Sequence, residues 1–191
     1  MLKKIKQLKT KKKKGITTVN AAVGTLLMII LLAILLDTMT LSNRYMSLHD
    51  TVKELARTMA VQGGCMREKP EGYPENYYNT VELGKLIAKT MRVGGFKDCD
   101  YKIYVNYTEF DETTGQDITY SRDFMIYKDG DLTVKPTNEI DYLNDFSVTI
   151  EAKCSWIFSK YVVGMPETTL KATAPGVSEW KYDYDHWDSE N

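Results

Sequence analysis

Three cysteines and two histidines are the side chains of this sequence best suited to nucleophilic or acid–base chemistry. A cysteine nucleophile needs a neighbouring base, and Cys154 with His49 or His186 is the pair to consider. No local motif supports it, because the sequence contains no Gly-x-Ser-x-Gly elbow, no phosphate-binding loop and no His-Glu-x-x-His run. We therefore expect no enzyme and no cofactor.

A second group of potential ligands lies at the carboxyl-terminal end of the sequence. Four acidic residues and one histidine fall close together there, namely Asp183, Asp185, His186, Asp188 and Glu190. Their spacing matches neither a calcium loop nor a zinc motif, and acidic terminal segments are usually solvated. We expect no metal site.

The cysteines are instead suited to one structural disulfide in an exported domain. Cys65 follows two glycines, and Cys99 lies in a polar turn just before a predicted strand. Cys154, in contrast, alternates with apolar residues of another predicted strand and has the pattern of a small buried hydrophobic residue. We predict a Cys65–Cys99 disulfide and a free, buried Cys154.

An uninterrupted apolar run lies close to the amino terminus. Residues 21–36 (AAVGTLLMIILLAILL) contain neither a charged residue nor a proline. Together with residues 16–20 the run reaches about 20 residues, the length that a helix needs to cross the ~30 Å hydrocarbon core of a bilayer. We predict one transmembrane helix over about residues 16–36.

The charges on the two sides of this run differ in sign. Residues 1–15 hold eight lysines and no acid, whereas residues 37–191 hold 17 basic and 26 acidic residues, a net charge of −9. By the positive-inside rule, the amino terminus is cytoplasmic and the carboxyl-terminal part is extracytoplasmic. A cleaved secretory signal is the alternative, but the run is long for one and no small-x-small site follows Leu36. The acidic outer part argues against nucleic acid as a partner.

Beyond the span, apolar residues recur at helical spacing with polar residues between them. Neither glycine nor proline occurs over residues 25–62, and Gly63 and Gly64 then favour a helix end. The sequence predicts one helix over residues 16–62, transmembrane at first and amphipathic over residues 37–62. Its apolar stripe packs either on the protein's own sheet, which we favour, or along a coiled-coil seam with a partner. The stripe consists of Leu41, Tyr45, Leu48, Val52, Leu55 and Met59.

Residues 63–191 predict one small extracytoplasmic domain. A short helix over residues 80–91 has Asn79 as its candidate N-cap and contains Gly84, which weakens a helix. Apolar residues then alternate, which predicts strands at residues 101–107, 118–126, 132–134, 146–156 and 168–174. The expected fold class is α+β, with a long amino-terminal helix packed on a small antiparallel sheet of about four strands.

The junction between the basic leader and the span carries a family pattern. The leader ends at Gly15, and GITTVN at residues 15–20 opens an apolar helix that continues as an amphipathic one. This arrangement resembles the class III signal of type IV pilins and pseudopilins. The TadE-like pseudopilins of tight-adherence systems are similar in carrying it before a small β-rich domain. The resemblance implies that a prepilin peptidase cuts after Gly15 and leaves Ile16 as the new amino terminus.

One position departs from the pattern of the family. Pilins usually carry glutamate at the fifth mature position, where this sequence has Asn20. An amide can accept a hydrogen bond but lacks the charge that would attract the amine of a neighbouring subunit in lipid. The departure argues against ordinary major-pilin behaviour and is compatible with a minor or initiating subunit.

Two functions remain open from the sequence. The first is a pseudopilin-like subunit of a tight-adherence, type IV pilus-like, secretion or conjugation assembly, with other pilin-like subunits, an assembly platform and a prepilin peptidase as partners. Asn20 and the apolar stripe would then be its assembly residues. The second is a bitopic protein whose acidic outer domain binds or tethers an envelope partner, the lysines serving only to set topology. Gly15 favours the first function and Asn20 favours the second.

Overall fold

The computed structural model describes residues 2–68, 77–111, 113, 115–137, 140, 142–165 and 167–179. The chain divides into two compact units. The first, called the helix unit below, comprises Met1–Leu41 and Trp156–Pro166; the second, the sheet unit, comprises Ser42–Ser155 and Glu167–Asn191. The carboxyl-terminal acids considered above as metal ligands, at positions 183–190, lie outside the described residues.

The first helix is α1 (Leu2–Gln62). The prediction of one long uninterrupted helix ending at residue 62 is confirmed, but α1 begins before the predicted start at residue 16. The leader, residues 1–15, contains eight lysines, two leucines and no proline, and lysine and leucine favour the helical conformation. The peptide bond between Gly15 and Ile16 therefore lies inside a helix rather than in an extended leader.

The two glycines after α1 end it as the sequence predicts. Gly63 adopts a left-handed conformation with φ of 65°. The N–H of Gly64 donates to the carbonyl of Met59 at 2.9 Å, which satisfies one of the last free carbonyls of the helix. This is the Schellman arrangement, which glycine permits because it has no Cβ.

The sheet has five antiparallel strands: β1 (Asp100–Asp111), β2 (Gln116–Lys128), β3 (Asp131–Val134), β4 (Asp145–Cys154) and β5 (Thr168–Val177). Their order across the sheet is β3-β2-β1-β4-β5. The predicted hairpin is β1 with β2, and the short edge strand is β3. With α1, this sheet gives the α+β fold that the sequence predicts.

The last strand continues beyond its predicted end at Ala174, through Pro175 and Gly176. A proline without an N–H is tolerated because β5 lies at the edge of the sheet. A Cβ at Gly176 would lie 2.5 Å from Cζ of Phe146, so the ring of Phe146 occupies the space over the glycine. The proline-glycine pair is therefore part of the strand, and the predicted strand end at Ala174 is wrong.

The second helix, α2 (Thr80–Val93), has the predicted N-cap. The Asn79 side chain accepts hydrogen bonds from the N–H groups of Val81 at 3.0 Å and Glu82 at 2.9 Å. The Glu82 carboxylate accepts one in return from the N–H of Asn79 at 3.2 Å, which completes a capping box.

Gly84 inside α2 is explained by the neighbouring strand. A Cβ at this position would lie 2.7 Å from Cγ2 and 3.0 Å from Cγ1 of Val134 in β3. Glycine therefore lets α2 approach β3 closely, and this packing offsets its low helix propensity.

One hydrophobic cluster joins α1, α2 and the sheet within the sheet unit. From the predicted stripe, Leu48, Val52, Leu55 and Met59 are at most 2% exposed. The stripe therefore packs on the protein's own domain over these four residues, and they are not free to form a seam with a partner. Tyr45 is 48% exposed and Leu41 is half-buried.

The disulfide joins Cys99 to Cys154, so the predicted Cys65–Cys99 pairing is wrong. The register of the central strands pairs Asp100 of β1 with Lys153 of β4, which brings Cys99 opposite Cys154 with their Cα atoms 4.7 Å apart. This separation lies within the range that a disulfide spans.

Cys65 is a free, fully buried thiol just after α1. Its N–H donates to Oγ1 of Thr137 at 2.7 Å, and its Sγ lies 3.8 Å from Oγ1 of Thr80. Burial raises the pKa of the Cys65 thiol to about 12. Cys65 thus has the role of small buried residue that the sequence assigned to Cys154.

Candidate functional site

Residues 19–36 of α1 present large apolar side chains to their surroundings over most of the helix surface. From Thr18 onward the helix is long and apolar enough to cross a membrane. Ten of its large apolar residues are more than a third exposed: Val19, Val23, Leu26, Leu27, Met28, Ile29, Leu31, Leu32, Leu35 and Leu36. An apolar surface of this extent is unfavourable in water and suits lipid. It fits the predicted transmembrane helix.

Polar groups within this segment are compatible with lipid. The Thr25 hydroxyl donates to the carbonyl of Ala21 at 2.9 Å, so it needs no water. Asn20 is exposed, as an assembly residue has to be. The structure places Asn20 on the helix surface. Its assembly role stays a prediction, as do the roles of Gly15 and Ile16.

Directly after the apolar run, Asp37 is buried, with 1% of its surface exposed. Its carboxylate accepts hydrogen bonds from the N–H of Ile157 at 3.0 Å, from the N–H of Phe158 at 3.1 Å to each oxygen, and from the N–H of Ser159. These donors are backbone amides, which suit an ionised carboxylate. Asp37 therefore binds a distant segment of the chain to α1.

The segment that Asp37 binds, residues 156–165, connects β4 to β5 and contains the short helix α3 (Ser159–Val162). We call it the connecting segment. It belongs to the helix unit, together with the amino-terminal part of α1. The sequence placed Trp156 on the inner face of β4, but that strand ends at Cys154 and Trp156 is half-exposed in the connecting segment.

The sheet unit carries a separate open groove of about 860 Å³ between α1 and β5. Three basic side chains one helical turn apart, His49, Lys53 and Arg57, lie along its α1 side. Asp145 and Glu179 also line the groove. The groove is therefore mixed in charge, with two cationic side chains, Lys53 and Arg57, and two carboxylates.

Neither a protein-family model, nor a curated protein, nor a solved structure matches this chain. Among the described residues, no group of three or more histidine, cysteine, aspartate or glutamate side chains has the arrangement of a metal site.

Sequence reasoning missed the binding of the connecting segment by Asp37. One signal was present: an acid placed at once after an apolar span has no obvious partner in the local sequence. A second was the composition of WIFSKYVVGM at residues 156–165, which is apolar and aromatic where a link between two strands is usually polar. Neither signal identifies the other as its partner, because about 120 residues separate them.

Proposed function

We propose that the protein is a single-pass membrane subunit of a pilin-like assembly, with its leader in the cytoplasm and its sheet unit outside. The observation that carries this proposal is that two parts of the same helix, α1, have different roles. Its first part has the surface of a membrane span, and its last part supplies core residues of the sheet unit. Under this proposal, α1 anchors the sheet unit to the membrane.

The disulfide supports the proposed orientation. Structural disulfides persist in oxidising compartments and are rare in the cytosol. The Cys99–Cys154 bond lies in the sheet unit, which the lysine asymmetry also assigns to the outside. A protease added to intact cells should digest the part beyond Asp37 and spare a tag at Met1. Digestion of the tag instead would contradict the orientation.

Processing after Gly15 tests the pilin-like part of the proposal. We expect the amino-terminal peptide of protein recovered from membranes to begin at Ile16, and a Gly15→Leu variant to retain Met1. Since the Gly15–Ile16 bond lies in α1, a peptidase would have to unwind the helix locally, which glycine makes easier. If both forms begin at Met1, or both are trimmed alike, the pilin-like assignment loses its support.

A bitopic tether is the second candidate function, and the groove on the sheet unit favours it. Its row of His49, Lys53 and Arg57 suits an acidic segment of an envelope partner, lying beside the edge strand β5. Replacing Lys53 and Arg57 by glutamine should then abolish recovery of such a partner after crosslinking in cells and leave the amino terminus unchanged. A pilin-like subunit would instead crosslink mainly through its exposed membrane helix.

A further inference from the structure

We propose that the connecting segment is a second membrane contact, seated in the outer interface of the bilayer beside the span. This inference rests on the proposed transmembrane placement of α1. The segment exposes five large apolar side chains within seven positions: Ile157 at 40%, Phe158 at 45%, Tyr161 at 85%, Val162 at 41% and Val163 at 48%. Such a dense exposed patch is a contact surface rather than scattered surface hydrophobicity.

Asp37 fixes where along α1 this patch lies. The carboxylate holds the N–H groups of residues 157, 158 and 159 at the helix position that follows Leu36, the last residue of the apolar run. Ala33, one turn earlier on the same face, is also buried, with 6% exposed. The patch therefore lies level with the end of the span, where the hydrocarbon core gives way to headgroups.

The backbone of the segment is prepared for a region poor in water. Besides the three N–H groups bound by Asp37, those of Tyr161 and Val162 donate to the carbonyl of Phe158 at 3.1 and 3.3 Å. The N–H of Val163 donates to the carbonyl of Ser159 at 2.8 Å. An unsatisfied amide in a bilayer is costly, and these six amides are satisfied within the protein.

The composition of the segment identifies phospholipid as the occupant. It contains three aromatic residues, one lysine and no acid, although residues 37–191 as a whole carry a net charge of −9. Tryptophan and tyrosine concentrate at membrane interfaces, and a lysine there reaches the phosphates while its stem stays in apolar surroundings. The patch also continues the exposed apolar surface of α1 in the same unit, which a lipid surface covers as a whole.

Depth-dependent fluorescence quenching tests this placement in the full-length protein. Trp156, Trp180 and Trp187 are replaced by phenylalanine, and one tryptophan is introduced as either Tyr161→Trp or Leu26→Trp. Leu26 lies on α1 roughly 16 Å before Asp37 at the helical rise per residue, and its side chain is 56% exposed. Each protein is reconstituted in phosphatidylcholine–phosphatidylglycerol vesicles that contain lipid brominated either near the carbonyl or deep in the chain.

We expect both tryptophans to lose most of their emission to brominated lipid. Trp at position 161 should respond more to the shallow bromine, and Trp at position 26 more to the deep one. Quenching at position 26 but not at 161 would overturn the inference and leave the span intact. Absence of quenching at both would overturn the proposed span as well. A third outcome is that neither brominated lipid nor aqueous acrylamide quenches Trp at position 161 until the protein-to-lipid ratio is lowered. A second copy of the protein would then cover the patch, and the inference would be wrong.

Asp37→Asn tests the positioning role in the same assay. Its amide leaves one acceptor oxygen for three backbone donors, so the segment should detach and Trp at position 161 should become accessible to aqueous acrylamide. Asp50→Asn, which removes an exposed acid from the same helix, is the matched control and should leave the quenching profile unchanged. An unchanged profile in Asp37→Asn would show that Asp37 does not set the depth of the segment.

Discussion

Removing the Cys99–Cys154 disulfide should lower the free energy of unfolding of the sheet unit by about 4 kcal/mol. The two cysteines are 55 positions apart, and the loop-closure entropy of a crosslink over that length gives this value at 25 °C. The bond joins neighbouring strands whose register already places its ends 4.7 Å apart at Cα, so reduction should leave the folded sheet unchanged and act on the unfolded chain.

The assay is urea unfolding in detergent micelles, followed by near-ultraviolet circular dichroism, with and without a reductant. The double variant Cys99→Ala/Cys154→Ala should unfold at lower urea whether or not reductant is present. The control, Cys65→Ala, removes a buried thiol that is in no disulfide, so reductant should still destabilise this variant as it does the parent. A loss below about 1 kcal/mol on reduction would refute the entropic argument. A disulfide-linked peptide containing Cys65 would refute the pairing itself.

Three further predictions concern the sheet unit. Gly84→Ala should destabilise it by about 1–3 kcal/mol despite better helix propensity, because the new Cβ meets Val134, and adding Val134→Ala should restore much of the loss in urea titrations. Cys65, whose pKa is raised to about 12, should react with maleimide near neutral pH only after denaturation; rapid labelling of folded protein would contradict its burial. Lys171 and the Tyr104 hydroxyl hold the pKa of Glu151 below its usual 4.5, so this carboxylate should contribute stability that is lost as pH falls through the lowered value. The pair is largely exposed and screened by solvent, so Glu151→Gln should flatten the acid limb of the stability curve only slightly.

Local patterns predicted most of the fold because the forces they report act over a few residues. The apolar run, the glycine stop after α1 and the Asn79 cap depend on neighbours within a turn or two. The alternation of apolar residues located the strands in the same way. Beyond Ala174 this reasoning failed, because the strand character of Pro175 and Gly176 comes from an edge position that sequence alone does not show.

Pairings between distant residues could not be predicted. The choice of disulfide depended on β1 lying beside β4, whereas the sequence indicated only its pairing with β2 in a hairpin. Cys65 and Cys99 were plausible partners by composition, yet the register of two strands decided the bond. The contact between Asp37 and the connecting segment is of the same kind, since its two sides carry no shared periodicity. The roles of Gly15, Ile16 and Asn20 depend on partners outside this chain and stay predictions.

The ring of Phe146 over Gly176 constrains how these two positions can change during evolution. The two positions face each other across β4 and β5, and the space at one is filled by the side chain of the other. A larger residue at position 176 is acceptable only if position 146 becomes smaller, and a smaller residue at 146 leaves a gap that glycine cannot fill. Descendants of a common ancestor that keep this sheet should therefore change both positions together.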